Sequence, residues 1–391
     1  MGGFVISYGE KMIKKILGLP VLILLTFAYS YNPNIYVLCE GVWGEGNGSL
    51  WSVGDGEMNE EFNMIGDVSQ SLYSYRDRLF VINNASGNIQ VYRYSDDQLY
   101  LDQEIETNGS GPREMLVLND RIYFTNWYSL DMKVLDLETY QELGSVLFDQ
   151  MPEDIVTDGQ SIWVSLMLEQ DYTDGNTVAK IDPASLEVIS QYDVGPGPNE
   201  MVMNEGKIFI SRTWYDQDWN AYYGTSMIDG DAVISADYGQ GSVCGGGVMV
   251  YQGGVYRSFN GGIAPIDANL ELIEEQRIGS YDSYSVYSVE AIDDMIYFGL
   301  SDFGSSNHVA VVDSYGNELG FFDTGILPGD FAKDQRCSVF GDLNIDYSAD
   351  VVDVLQLVSY VTGNDHSVEC DPDINGNEIV GIDEKPLSRS H

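Results

Sequence analysis

A pattern that returns roughly every 43 residues constrains this chain more than any other feature, because such a period marks an array of small sheet units. An aliphatic and aromatic core occurs seven times: Ile35-Tyr36-Val37, Leu79-Phe80-Val81, Ile122-Tyr123-Phe124, Ile162-Trp163-Val164, Ile208-Phe209-Ile210, Val255-Tyr256 and Ile296-Tyr297-Phe298. Their aromatic positions are 44, 43, 40, 46, 47 and 41 residues apart. Six cores follow a turn such as Asp158-Gly159 or Gly253-Gly254, and a short apolar run precedes most of those turns, which together read as a hairpin.

Beyond each core comes a variable loop and then a strand that ends at an aspartate in five repeats: Asp136, Asp182, Asp229, Asp267 and Asp313. An aspartate there suits a tight turn, since its carboxylate accepts nearby backbone N–H groups. A further strand follows, as in Glu187 to Val194, and a Gly- or Pro-rich corner leads to the next short apolar strand, as in Met115 to Leu118 or Met201 to Asn204. Four strands per repeat and seven repeats give an all-β fold, a seven-bladed β-propeller of four-stranded blades. A solenoid of similar period is the structural rival. The ends argue for closure: the last corner supplies an innermost strand at Phe331 to Lys333 without a following partner, while Ile35 opens directly on the second strand type. The N- and C-terminal strands should therefore share one blade and leave no free sheet edge.

Corners such as Gly195-Pro196-Gly197-Pro198-Asn199-Glu200-Met201-Val202 and Gly109 to Leu116, each followed by the aliphatic and aromatic strand, resemble YVTN-type surface-layer propeller repeats over residues 35 to 333. The resemblance implies the propeller fold and leaves activity open, since one fold serves many functions.

Residues 1–30 read as a secretory signal peptide with an upstream extension, Lys14-Lys15 before an apolar run from Ile16 to Ala28. That run contains Pro20 and falls short of the ~20 residues a membrane helix needs, so the mature chain is expected to be exported without a membrane span. The expected domains are a propeller over 31–336 and a small module over 337–391. A net charge of −44, from 62 acidic and 18 basic side chains, excludes a nucleic-acid or anionic-membrane binder. Four cysteines in an exported chain permit disulfides, and Cys337 with Cys370, which bracket the acidic module, is the expected pair; four buried thiols is the alternative.

Within that module Asp342, Asn344, Asp346, Ser348, Asp350 and Asp353 fall on positions 1, 3, 5, 7, 9 and 12 of a calcium loop. An apolar helix over 351–361 should follow, with Val354, Leu357, Val358 and Val361 on one face. A second loop begins 31 residues on, with Asp373, Asn375, Asn377, the Ile379 carbonyl, Gly381 through water, and Glu384. Four carboxylates serve the first loop and two the second, so the first should hold Ca²⁺ more tightly; an acidic solvated tail is the alternative. The paired loops resemble a type I dockerin, which implies a cohesin-like module or cell-surface scaffold as partner. Tyr347 and Glu378 replace the glycine of the sharp turn, and the second helix is truncated, so this dockerin-like module departs from the family pattern.

Two further groups bear on function. Aligned corners place Glu114, Asp154, Glu200, Glu290 and Asp330 where the innermost strands begin, so they should ring the channel mouth. Such a ring either concentrates negative potential for a cation or ties neighbouring blades together through backbone N–H groups. Loops on the same face carry Trp43, Trp127, Tyr128, Trp214, Tyr215, Trp219 and Tyr222, flat surfaces for a glycan or peptide ligand unless they fold inward over the blade tops. His308 is the sole histidine of the repeats, and the sequence shows no Ser or Cys with an evident base, so no catalytic residue is assigned. The sequence thus favours a non-catalytic binding or surface-attached propeller. The alternatives are a metal-dependent lyase or lactone hydrolase using the channel ring, and a structural surface-layer or adhesion protein.

Overall fold

The computed structural model describes residues 35–54, 56–95, 98–241, 247–335, 343 and 351–362. Each aliphatic and aromatic core is the second strand of a sheet covered on both faces by its neighbours. Its residues therefore read as a continuous apolar run instead of alternating, and Ile35–Cys39 is buried at every position.

Seven such sheets form. Counted outward from the axis, blade one is Pro328–Lys333, Ile35–Cys39, Ser49–Gly54 and Glu57–Phe62. Blades two to five begin with Ser69–Tyr75, Pro112–Leu118, Met151–Thr157 and Pro198–Asn204, blade six with Val248–Tyr251 and blade seven with Val286–Ile292. These innermost strands touch one another in that order and return to Pro328–Lys333, which makes a seven-bladed β-propeller. The ends close as the sequence implies, with Val37 opposite Phe331 and Ile35 opposite Lys333 in an antiparallel pair. Between blades the side chains interdigitate: Phe80 and Ile82 of blade two pack with Met115 and Phe124 of blade three.

Blade six departs from the four-stranded expectation, since among the described residues its sheet holds Val248–Tyr251, Gly254–Phe259 and Gly262–Pro265 alone. In the outer place, Leu272 and Ile278 make single bridges to Ile266 and Ile263, with a 3₁₀ turn at Glu274–Gln276 between them. Glu274-Glu275-Gln276 supplies no apolar alternation with which to extend a strand. The innermost strands are also longer than the sequence suggests: three begin at the corner proline, Pro112, Pro198 and Pro328, and continue through a shift of register. Proline has no N–H to donate and is tolerated at such a start. Gly197 at the corner has φ +63°, and a Cβ there would stand 1.8 Å from the Thr213 carbonyl oxygen, so only glycine fits.

Most of the aspartates that end the third strands make the expected turns, Asp229 pairing instead with Lys207. Asp136 accepts the N–H groups of Glu138 and Thr139, Asp182 those of Ala184 and Ser185, and Asp313 those of Tyr315 and Asn317.

The helix predicted after the first calcium loop spans Val351–Val361. Leu357 on its apolar face is buried, but Val354 and Val358 are exposed. Asp353 is buried and accepts the Leu343 N–H at 2.7 Å. The other expected ligands, Asp342, Asn344, Asp346, Ser348, Asp350, Asp373, Asn375, Asn377, Ile379 and Glu384, lie outside the described residues, as do Cys337 and Cys370. What is described of the expected calcium-loop module is thus one short helix, which by itself does not make such a module. Cys39 is a free, buried thiol. Among the described residues no helix is long and apolar enough to cross a membrane.

Phe331 fastens the closing strand, buried with Val37 and Tyr297. Phe331→Ala is expected to cost about 3–5 kcal/mol in urea unfolding. Leu319→Ala, on the exposed outer strand Glu318–Asp323, should change stability by no more than about 0.5 kcal/mol.

Candidate functional site

The register of the innermost strands aligns one position in every blade, just before Leu72, Met115, Ile155, Met201, Val248, Val289 and Phe331. It holds Ser71, Glu114, Asp154, Glu200, Gly247, Ser288 and Asp330. Asp330 Oδ2 accepts the Leu72 N–H of the next blade, Asp154 Oδ2 accepts the Met201 N–H, and Glu200 accepts the Val248 N–H. Where serine stands, the latch reverses polarity: Ser71 Oγ donates to the Arg113 carbonyl and Ser288 Oγ to the Pro328 carbonyl. Between blades three and four, Thr125 Oγ1 donates to the Glu153 carbonyl at 2.6 Å. Asp330, Asp154 and Glu200 therefore tie blade to blade, in line with the structural one of the two readings open in the sequence, while the Glu114 carboxyl makes no such latch among the described contacts.

Glu290 corrects the alignment. It lies opposite Tyr297, two residues beyond Ser288, so it lines the channel deeper than the other four acids. The corner before blade seven has no proline to mark the register.

The channel is a cavity of about 460 Å³, lined by all five acids together with Glu40, Glu153, Gln70, Arg113 and Tyr287. Protein surrounds these carboxyls while channel water still reaches them, Glu200 most of all. Burial pushes Asp154 up to about 7 although the Met201 and Ile155 N–H groups oppose it. Asp330 reaches about 7 for the same reason, against the N–H groups of Leu72 and Phe331. Glu200 also reaches about 7, raised by burial and held back by Arg257. Glu290 is raised well above the carboxylate range by burial and by Glu200, Asp330 and Asp154, with nothing opposing.

Sequence reasoning missed the group one residue earlier. Arg113 pairs with Glu153 at 2.5 Å and donates to Gln70 Oε1, while the Trp127 ring covers its guanidinium at 4.1 Å and donates Nε1–H to Glu153 Oε2 at 2.6 Å. Nearby, burial raises Glu40 against a hydrogen bond from Tyr287 and the charge of Arg113. Gln70, Arg113 and Glu153 each precede a latch residue, so the repeat alignment held the signal; their different charges hid it.

Of the predicted ligand-face aromatics, two kinds emerge. Trp127 and Trp214 are drawn in: Trp214 stacks on Tyr222 with centroids 6.1 Å apart, and Arg212 lies 4.9 Å from its ring. Trp43, Tyr128, Tyr215 and Trp219 remain exposed, with Trp219 at 82% and Trp43 at 80%. Tyr215 and Trp219 lie 6.2 Å apart across the turn that joins Lys207–Tyr215 to Ala221–Asp229. These second-to-third strand turns all lie at the end of the blades where the latches are, because strand direction alternates within each blade.

His308 does have a serine beside it, contrary to the sequence expectation. Ser306 Oγ is 2.9 Å from Nε2, and Asp323 Oδ1 is 3.0 Å from Nδ1 but not aligned for a hydrogen bond. Register creates this contact, with His308 opposite Asp323 on the adjacent strand. Among the described residues no three His, Cys, Asp or Glu side chains are arranged to hold a metal ion.

No protein-family model matches the chain, and no curated protein matches it. Solved structures do share the fold. A hypothetical selenium-binding protein from Sulfolobus tokodaii aligns with a TM-score of 0.60 at 10% identity, covering 78% of this chain and 92% of its own. The periplasmic gluconolactonase of Pseudomonas aeruginosa aligns at 0.57 and 12% identity, covering 77% and 99%. Apo AztD from Citrobacter koseri aligns at 0.51 and 12%, covering 77% and 97%. At such identities the likeness establishes the propeller and no activity.

The raised carboxyls fix a direction for pH. A folded-state value above the unfolded one means that the native state binds more protons, so stability falls as pH climbs from about 4 through about 7, the range set by Asp154, Asp330 and Glu200. Urea midpoints should fall over this window. Glu290→Gln should raise stability at pH 8 by on the order of 1 kcal/mol, allowing for screening by channel water, and by less at pH 5.

Proposed function

We propose that this is an exported, non-catalytic binding propeller that recognises a glycan or peptide on the face where exposed aromatic side chains surround the acidic channel mouth. The observation that carries the reading is the junction of the two features: Trp127, from an aromatic loop, is bonded to Glu153 at the mouth and stacked on Arg113. A ligand lying across the mouth would meet carboxylate acceptors for hydroxyl or ammonium groups, and Tyr128, Tyr215, Trp219 and Trp43 as stacking platforms that lose little entropy on binding. With the latch carboxylates engaged by backbone N–H groups, blade cohesion is their first role, and recognition falls mainly to the rim.

The C-terminal segment, read as a dockerin-like module, would attach this propeller to a cohesin-like scaffold, and its calcium loops would stabilise it. The repeats are read as the YVTN type. Export rests on the apolar leader, and the structural-layer role is the same fold without a soluble ligand.

A hydrolytic reading has one observation in its favour, the Ser306, His308 and Asp323 contacts, together with a fold shared with a protein described as a gluconolactonase. A channel metal centre, the other enzymatic alternative, would need three His, Cys, Asp or Glu side chains gathered around one point, an arrangement not found among the described residues.

On glycan and peptide arrays, Trp219→Ala is expected to lower retention of any hit at least tenfold without changing the melting temperature. Turnover of gluconolactone that vanishes in Ser306→Ala would replace binding with hydrolysis. In calorimetry of the chelator-stripped full chain, calcium should bind in two unequal steps. The tighter should be lost in Asp346→Ala and both should survive in Glu200→Gln; an ion lost with Glu200 would move the metal into the channel.

A further inference from the structure

We propose that a slot between blades five and six binds a carboxylate-bearing ligand of sugar size through the guanidinium of Arg257. The site is separate from the channel mouth and does not depend on the reading of that mouth.

The repeat itself points to Arg257. By strand register its column is occupied elsewhere by Val37, Val81, Phe124, Val164, Ile210 and Phe298, all apolar core residues. In blade six alone the column carries a charge, opposite Val248. Arg257 is 1% exposed, and placing a charge there is costly unless its donors are used.

Only part of them is. Nη1 donates to the Gly247 carbonyl at 2.8 Å and to Ser258 Oγ at 2.7 Å, which fixes the plane of the group. Among the described residues Nε and Nη2 have no acceptor. Those two nitrogens share one edge of the guanidinium and point their N–H bonds in parallel, the fork that fits both oxygens of one carboxylate. Glu200 acts on this charge from the channel side but makes no ion pair with it, and no carboxylate among the described residues does. On the facing side of blade five, Ser211 Oγ and Thr213 Oγ1 are likewise buried without partners. Thr213 lies opposite Tyr223, so both side chains project towards blade six.

A cavity of about 220 Å³ lies beside this group on the aromatic face, separated from the guanidinium by its own lining, which is uncharged and includes Tyr223, Gln240, Ser258, Phe259, Asn260 and Tyr284. At about 30 Å³ per water it has the volume of roughly seven waters, which suits one monosaccharide unit. Its lining joins the guanidinium at two points: Ser258 accepts from Nη1, and the Tyr223 ring lies 5.9 Å from Cζ. Rings and amides would hold the sugar body and the fork its acid group. Both fork nitrogens are shut off from water, so the ligand must displace the Tyr223 ring that borders the guanidinium to reach them.

Calorimetry of the full chain at fixed ionic strength tests this with D-glucuronate and D-glucose as probes. Glucuronate should bind saturably, with glucose at least tenfold weaker. Arg257→Lys keeps the charge but loses the fork and should weaken glucuronate at least tenfold. Thr213→Val, which leaves Arg257 in place, should weaken it severalfold with an unchanged melting temperature. Glu114→Gln and Trp219→Ala should leave it unaltered. Absence of saturable glucuronate binding to the wild-type chain, equal affinity for glucose, full competition by equimolar chloride, or loss of glucuronate binding in Glu114→Gln would each overturn the proposal.

Discussion

Everything in this propeller hangs on how one innermost strand is fastened to the next. Around the axis the backbone edges of seven sheets crowd against one another, and the N–H and C=O groups that this packing hides from water would be costly if unpaired. A single register position answers that need, with carboxylate acceptors at Asp154, Glu200 and Asp330 and hydroxyl donors at Ser71 and Ser288. The outer strands need no such device, since their edges face solvent.

The fastening creates the chemistry of the channel as a by-product. Carboxylates placed for their reach to a neighbour's N–H come within range of one another's charge, and burial with mutual repulsion raises the pH at which they lose their protons. Arg113 relieves part of this charge and links the mouth to an aromatic loop through Glu153 and Trp127. Where the repeat is most irregular, the fastening is thinnest: blade six has Gly247 at the latch position, three strands, and a buried arginine in an apolar column.

The fold was legible because burial on both sheet faces writes itself as an unbroken apolar run, and seven such runs at one period leave few architectures. That the two ends share one blade could be read from which strand type each end lacked, while the pairing of Val37 with Phe331 came from the register. The site was legible in its acids but not in its order. Glu290 was misaligned because its corner lacks the proline that marks the others, and Gln70, Arg113 and Glu153 share a position but not a charge. His308 meets Asp323 through pairing of adjacent strands, which spacing along the chain does not encode.

Sequence by itself determined the number of blades, the shared closing blade, the aspartate turns and the helix Val351–Val361, since each depends on residues near one another in the chain or on their period. Tertiary structure alone decided which acids latch and which line the channel, which tryptophans turn inward, and that Arg257 keeps a free fork. Those outcomes depend on contacts between repeats, where the partner of a side chain lies one whole period away and only packing brings the two within reach.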